Sequence, residues 1–157
     1  MDKEKALKVW EFLENNHLAV LATVSEENTP QASLVYYVTE EDFHLYIVTA
    51  KDSRKFKNIS KNNKVSLVIG QEKAAQVLQI EGEAKVVEDS SKKTFISGKY
   101  LEIANESNPK SLNWPPVLKL SSTEGFVFIE IGIISFKFSD FSGRQSLIIE
   151  GTAQDWN

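Results

Sequence analysis

The chain contains no cysteine and only two histidines, one methionine and four prolines. Without thiols it can form no disulfide, zinc–thiolate centre or cysteine nucleophile, and a reducing compartment is permitted. His17 and His44 each lack a second ligand at metal spacing, so both are read as structural or exposed and no metal site is expected. Long apolar runs are missing too. None reaches the roughly 18 residues that a membrane helix needs, and the opening MDKEKALKVW carries charges where a secretory signal has an apolar core. A cytoplasmic protein with no membrane partner is therefore expected. The phosphate-binding loop, the dinucleotide glycine fingerprint, the serine-nucleophile elbow and the HExxH zinc motif are all absent, which removes the main support for the familiar enzyme classes. The acidic run Glu40-Glu41-Asp42 lies between strand-like segments, where solvated charge is more ordinary than a catalytic carboxylate pair.

What is present suits one core. At 157 residues and 41% hydrophobic content the chain is long enough for one domain and short for two. A single domain spanning 1–157 is expected, with about 150–157 as a loose tail. The net charge of −4 argues against a nucleic-acid partner.

In residues 3–15, Ala6, Trp10 and Leu13 recur at helical spacing, with Val9 and Phe12 widening the stripe, so an amphipathic helix opens the chain. HLAVLATVS, QASLVYYVT and FHLYIVTA then read as three strands of an antiparallel meander. A short helix over 53–61, strands at 64–70 and 74–89, and a helix capped by Ser90 or Ser91 follow, and Gly82 marks a bulge or bend in the fifth strand. The run FVFIEIGIISFKFSDF is apolar on both faces, so it must lie inside a barrel wall covered by a helix or another subunit, with RQSLII as a hairpin partner. The expected fold is mainly β with peripheral helices, an antiparallel barrel, closed or split.

One segment carries chemistry. In TAKDSRKFKNI an acidic protein places Lys51, Arg54, Lys55 and Lys57 within seven residues. Ser53 can cap the short helix, so the amides of residues 54–56 gather at its positive end beside a guanidinium and an ammonium, which makes a site for an anion such as phosphate. The same charges also fit a solvated helix face. A nucleic-acid patch continued through Lys61 and Lys64 is a third reading, opposed by the acidic chain and by Phe56, which pairs with Ile59 at core spacing.

The array LAVLATVSEENTPQASLVYYV, FHLYIVTAKDSRKFKNISKNNKVSLVIG and VLQIEGEAKVVED resembles the FMN-binding split barrels related to pyridoxamine 5′-phosphate oxidase, over roughly residues 1–105. The resemblance implies a flavoprotein with FMN as cofactor, a flavin-dependent oxidoreductase of unknown substrate, and a homodimer with the cofactor at the subunit interface. It implies Ser53, Arg54 and Lys55 at the FMN phosphate, Val48 and Thr49 beside the ring, and Ser33, Leu34, Val35 and Tyr36 along the ring edge. The oxidase proper has an arginine and a lysine on strand 2, where this chain has Ser33 and Val38. Its fifth-strand arginine and glutamine are reduced to AQVLQIEG, in which Gln76 or Gln79 would take the cofactor contact. Its basic C-terminal substrate segment has no counterpart, so vitamin B6 oxidation is not expected. Trp114, in NPKSLNWPP, either drapes over the cofactor or plugs the barrel or dimer seam. No residue stands out as an obligatory acid, base or nucleophile; reduction by NADH or NADPH would then occur at the ring itself. The alternatives are a non-catalytic binder of FMN, deazaflavin or haem, with His44 the residue to examine for haem, and a cofactor-free interaction dimer.

Overall fold

The computed structural model describes residues 3–40, 43–106 and 124–156. Trp114 lies outside the described residues. The first helix, α1 (Lys3–Glu14), buries Val9, Phe12 and Leu13. It stops where two asparagine side chains turn back on the last carbonyls, Asn15 on Glu11 at 2.8 Å and Asn16 on Phe12 at 2.6 Å.

Among the described residues eight strands follow: β1 (Leu18–Val24), β2 (Pro30–Tyr36), β3 (Val38–Thr39), β4 (His44–Ala50), β5 (Lys64–Gln71), β6 (Gln76–Val86), β7 (Phe126–Asp140) and β8 (Leu147–Thr152). They form one antiparallel sheet in the order β2-β1-β5-β6-β7-β4-β3, and β8 pairs with the second half of β7. The sheet curls around Leu21, Ile47, Leu67, Ile69, Leu78, Ile80, Ile129 and Phe138, and α1 closes one side of this core. The result is an antiparallel split barrel with peripheral helices.

The meander expected of the first three strands holds only for its first turn, where β1 pairs with β2 in register Leu18↔Tyr36 to Val24↔Pro30. QASLVYYVT is broken at Tyr37. That ring turns inward, fully buried, and its hydroxyl donates to the Leu13 carbonyl at 3.0 Å. The chain beyond it makes only the two-residue β3, which pairs with Tyr46 and Leu45 of β4. β4 finds its long partner in β7 instead, from His44↔Gly132 to Ala50↔Phe126.

β7 is the spine of the molecule. Its inner residues Ile129, Ile131 and Phe138 face the main core, while Phe128 on the other face joins a second cluster with Val38, Tyr46, Val48, Ile96, Tyr100 and Ile103. The helix α3 (Ser90–Glu106) supplies the last three, so a helix covers the outer face of β4 and β7. Asp89 caps this helix, accepting from the Lys92 amide at 2.7 Å, in place of the expected Ser90 or Ser91. Gly82 does mark a bulge: pairing slips between Glu81↔Ser135 and Gly82↔Ile133, leaving Ile134 over on β7.

The expected loose tail is structured. Residues 147–152 form β8, and Ala153–Trp156 make a 3-10 turn in which Asp155 accepts from the Thr152 amide at 2.6 Å. Pairing with β7 orders it, which a stretch of mixed polarity does not announce by periodicity.

At the far end of the barrel, Asp140 is buried and accepts from the Ser142 hydroxyl and amide and from Gln76 Nε2 at 2.9 Å, with Lys8 3.5 Å away. The Ser142 donors, then Gln76, then Lys8 hold its carboxyl well below the usual carboxylate range. The depressed folded-state pKa contributes stability that is fully present above the ordinary aspartate value of about 4 and is lost as pH falls below it through the folded-state value. Asp140→Asn should therefore flatten the decline of the urea midpoint between neutral and strongly acidic pH. A parallel decline in both proteins would contradict this.

Candidate functional site

The basic turn forms the site around a helix start. β4 ends at Ala50, and after a short turn the helix α2 (Arg54–Lys61) begins at Ser53, whose φ of −65° and ψ of 147° are extended, as an N-cap requires. Ser53 Oγ accepts from the Phe56 amide at 3.3 Å and from the Thr49 hydroxyl at 3.2 Å. Lys55 Nζ donates to Thr49 Oγ1 at 3.4 Å. Thr49, Ser53 and Lys55 are thus one chain of hydrogen bonds at the first turn of α2, with Arg54 exposed beside it.

Unlike the exposed Arg54, Lys55 is half-buried. Burial first, and the neighbouring Arg54 charge second, lower its pKa. Neither cation has a carboxylate partner among the described residues. Two cations and the positive end of a helix therefore converge with no anion to neutralise them, which is the electrostatic condition for binding one.

The cradle sits beside the opening of the barrel. Among the described residues β2 is bonded only to β1, and β4 is bonded to β3 only at Leu45 and Tyr46, so the 31–35 stretch of β2 and the 47–50 stretch of β4 turn edges with no strand partner toward each other. Ser33, Leu34, Val35 and Tyr36 lie along one edge, Val48 and Thr49 along the other. Ser33 and Val35 point inward, Leu34 points out, and Val48 is buried under α3.

The two glutamines lie elsewhere. Gln76 is bonded to Asp140 at the far end of the barrel. Gln79 stands on the outer face, three strands from β2 in the cross-strand row Leu34–Val20–Val68–Gln79. At the usual strand spacing that is roughly 14 Å from Leu34, so neither glutamine reaches the cradle of its own chain. His44 opens β4, six residues from Ala50, with Nε2 3.9 Å from the Glu130 carboxylate.

Two residues that periodicity hides also belong here. Asn58 of α2, buried, donates to Thr23 Oγ1 at 2.9 Å and to Gln31 Oε1 at 3.0 Å. Tyr100 of α3, 1% exposed, donates to the Tyr36 carbonyl at 2.7 Å. Helical spacing puts Tyr100 on one face with Ile96 and Ile103, but spacing reports where a ring points and not what its hydroxyl meets.

A sheet curled into a barrel, left open along one edge and carrying a capped, cationic helix start at that opening, places the chain among the split-barrel proteins. It belongs to the pyridoxamine 5′-phosphate oxidase family, whose model matches residues 7–124. Among solved structures, general stress protein 26 of Bacillus anthracis str. Sterne is similar at a TM-score of 0.67 and 23% identity, over 86% of this chain and 93% of that one. The haem storage protein HutZ of Vibrio cholerae is similar at 0.64 and 18%, over 93% and 94%. A haem-binding protein of Mycobacterium smegmatis is similar at 0.71 and 13%, over 99% and 61%. At these identities the likeness is one of fold. No curated protein matches the chain. Among the described residues no helix is long and apolar enough to cross a membrane, and no cluster of side chains has the make-up of a metal site.

Proposed function

We propose that this protein binds FMN and serves as a flavin-dependent oxidoreductase, working as a homodimer. The observation that carries the reading is the Ser53-capped start of α2, where Arg54 and the half-buried Lys55 face no counter-charge among the described residues. A phosphate monoester fits such a cradle: Arg54 offers a planar fork, Lys55 a point charge, and the first amides of the helix align with both. Thr49 holds the Lys55 ammonium toward the cradle, so the site is organised before ligand arrives.

The unpaired edges of β2 and β4 supply backbone donors and acceptors beside the cradle, suited to the polar rim of a flat heterocycle. Bound FMN would supply the electron-transfer chemistry, and this chain the anchoring and orientation. Gln79 would act across a subunit interface. The exposed row Leu34, Val20 and Val68, each between 42% and 51% exposed and bonded strand to strand, is a contiguous apolar face that a second copy would cover.

Haem is the second reading, because two proteins of the same fold are named for it. His44 as its ligand would have to leave Glu130, and it lies at the opposite end of β4 from the cradle. The visible spectrum before and after adding FMN separates the two. A flavin spectrum with saturable uptake is expected, on a particle of twice the 17.7 kDa chain mass by light scattering. A Soret band would establish the haem reading, and failure to take up added FMN would end the flavin reading. Reduction of the bound flavin by NADH or NADPH, followed by reoxidation on adding an acceptor, distinguishes an enzyme from a carrier.

A further inference from the structure

The unpaired edges of β2 and β4 face each other without zipping into a ladder. Continued by two residues, the antiparallel pairing of Val38 with Tyr46 would set Tyr36 opposite Val48 and bond the two strands directly. Instead the phenolic oxygen of Tyr100 takes the Tyr36 carbonyl. Its hydroxyl donates to the Tyr36 carbonyl at 2.7 Å and is shared with the Tyr46 carbonyl at 3.2 Å. One side chain from α3 thus ties together two backbone carbonyls on β2 and β4, strands that do not pair with each other among the described residues.

The other end of β2 is held by α2. Asn58 uses both amide protons, one on Thr23 of β1 and one on Gln31 of β2, which fixes the helix that carries the cradle against the strand that borders the opening. Gln31 and Tyr36 are five residues apart, so between the two clamps runs roughly 16 Å of β2 edge that pairs with no strand among the described residues.

We propose that Tyr100 and Asn58 are positioning residues: Tyr100 holds β2 and β4 at a fixed separation, and Asn58 fixes the anion cradle relative to β2, so that the open edges serve a planar ligand instead of each other. The inference rests on the flavin reading of the same site. Packing alone does not require the hydroxyl, because phenylalanine would fill the same space on α3. Burial keeps the phenol protonated, with its pKa raised, so the donor persists across the working pH range.

The test compares the wild type with Tyr100→Phe. FMN affinity should fall about tenfold or more, and the visible band of the bound flavin should move, because misplacement of supporting groups is felt at the ring. Cooperative urea unfolding of the variant shows that the fold persists. If Tyr100→Phe does not fold, Asn58→Ala carries the same affinity and band measurements. Equal affinity and an unmoved band in a variant that still unfolds cooperatively would reduce Tyr100 to a structural residue and overturn the inference alone. A wild type that takes up no FMN overturns the flavin reading, and this inference with it.

Discussion

Replacing Arg54 and Lys55 together by alanine should weaken FMN binding by at least about a hundredfold, because each cation offers a charge-assisted hydrogen bond worth roughly 1.5–3 kcal/mol. The same change should barely alter the unfolding transition. Arg54 is exposed, and Lys55 makes only a 3.4 Å contact to Thr49. The cap itself is untouched, since Ser53 accepts from the Phe56 amide whatever side chains follow it. Quenching of flavin fluorescence in a titration measures the loss, and riboflavin, which lacks the phosphate, gives the control: its affinity should be nearly the same in both proteins. Undiminished FMN binding by the double variant would show that the phosphate is held elsewhere. The half-buried Lys55 adds a pH signature. Its pKa is lowered in the free protein by burial and by Arg54, so a bound anion must raise it, and FMN affinity should decline as pH rises through the alkaline range.

The second large effect concerns the bulge. A side chain at Gly82 would place its Cβ 2.8 Å from the Gly132 carbonyl oxygen and 2.8 Å from Ile131 Cγ2. The first obstacle is backbone of the strand to which Gly82 is paired, so it cannot swing away as a flexible side chain would. Gly82→Val should therefore cost about 3 kcal/mol, the upper end for overpacking, and lower the urea midpoint accordingly. Gly70 is the internal control. It also lies in a strand, but an added Cβ there meets nothing within 4 Å, so Gly70→Val should leave the midpoint unchanged or raise it, as a β-branched residue favours a strand. Equal losses in the two variants would mean that the close approach at Gly82 is not what demands a glycine.

Much of this architecture was legible because it repeats. The α1 stripe of Val9, Phe12 and Leu13, the short apolar run of β1, and the doubly apolar β7 each declare burial by their own residues, and β7 announced that something must cover its outer face. Ser53 and the cations after it were equally readable, since a cap and the helix it starts are adjacent in the chain. Strand pairing was not. Whether β4 lies beside β2 or beside β7 depends on which edge is free after the sheet curls, and Tyr37, by turning its ring inward, broke the strand that a plain alternation had made continuous.

The amino-acid order alone thus determined most of the helices and strands, the doubly buried strand and the capped, cationic start of α2, because each rests on residues within one or two turns of one another. Only the tertiary structure decided that this helix start lies beside two strand edges that do not pair among the described residues. The phenol of Tyr100, 64 residues from Tyr36, meets that edge through a hydrogen bond that no local pattern encodes. A side-chain hydroxyl has direction as well as position, and its direction is set by whatever the rest of the chain brings within about 3 Å of it.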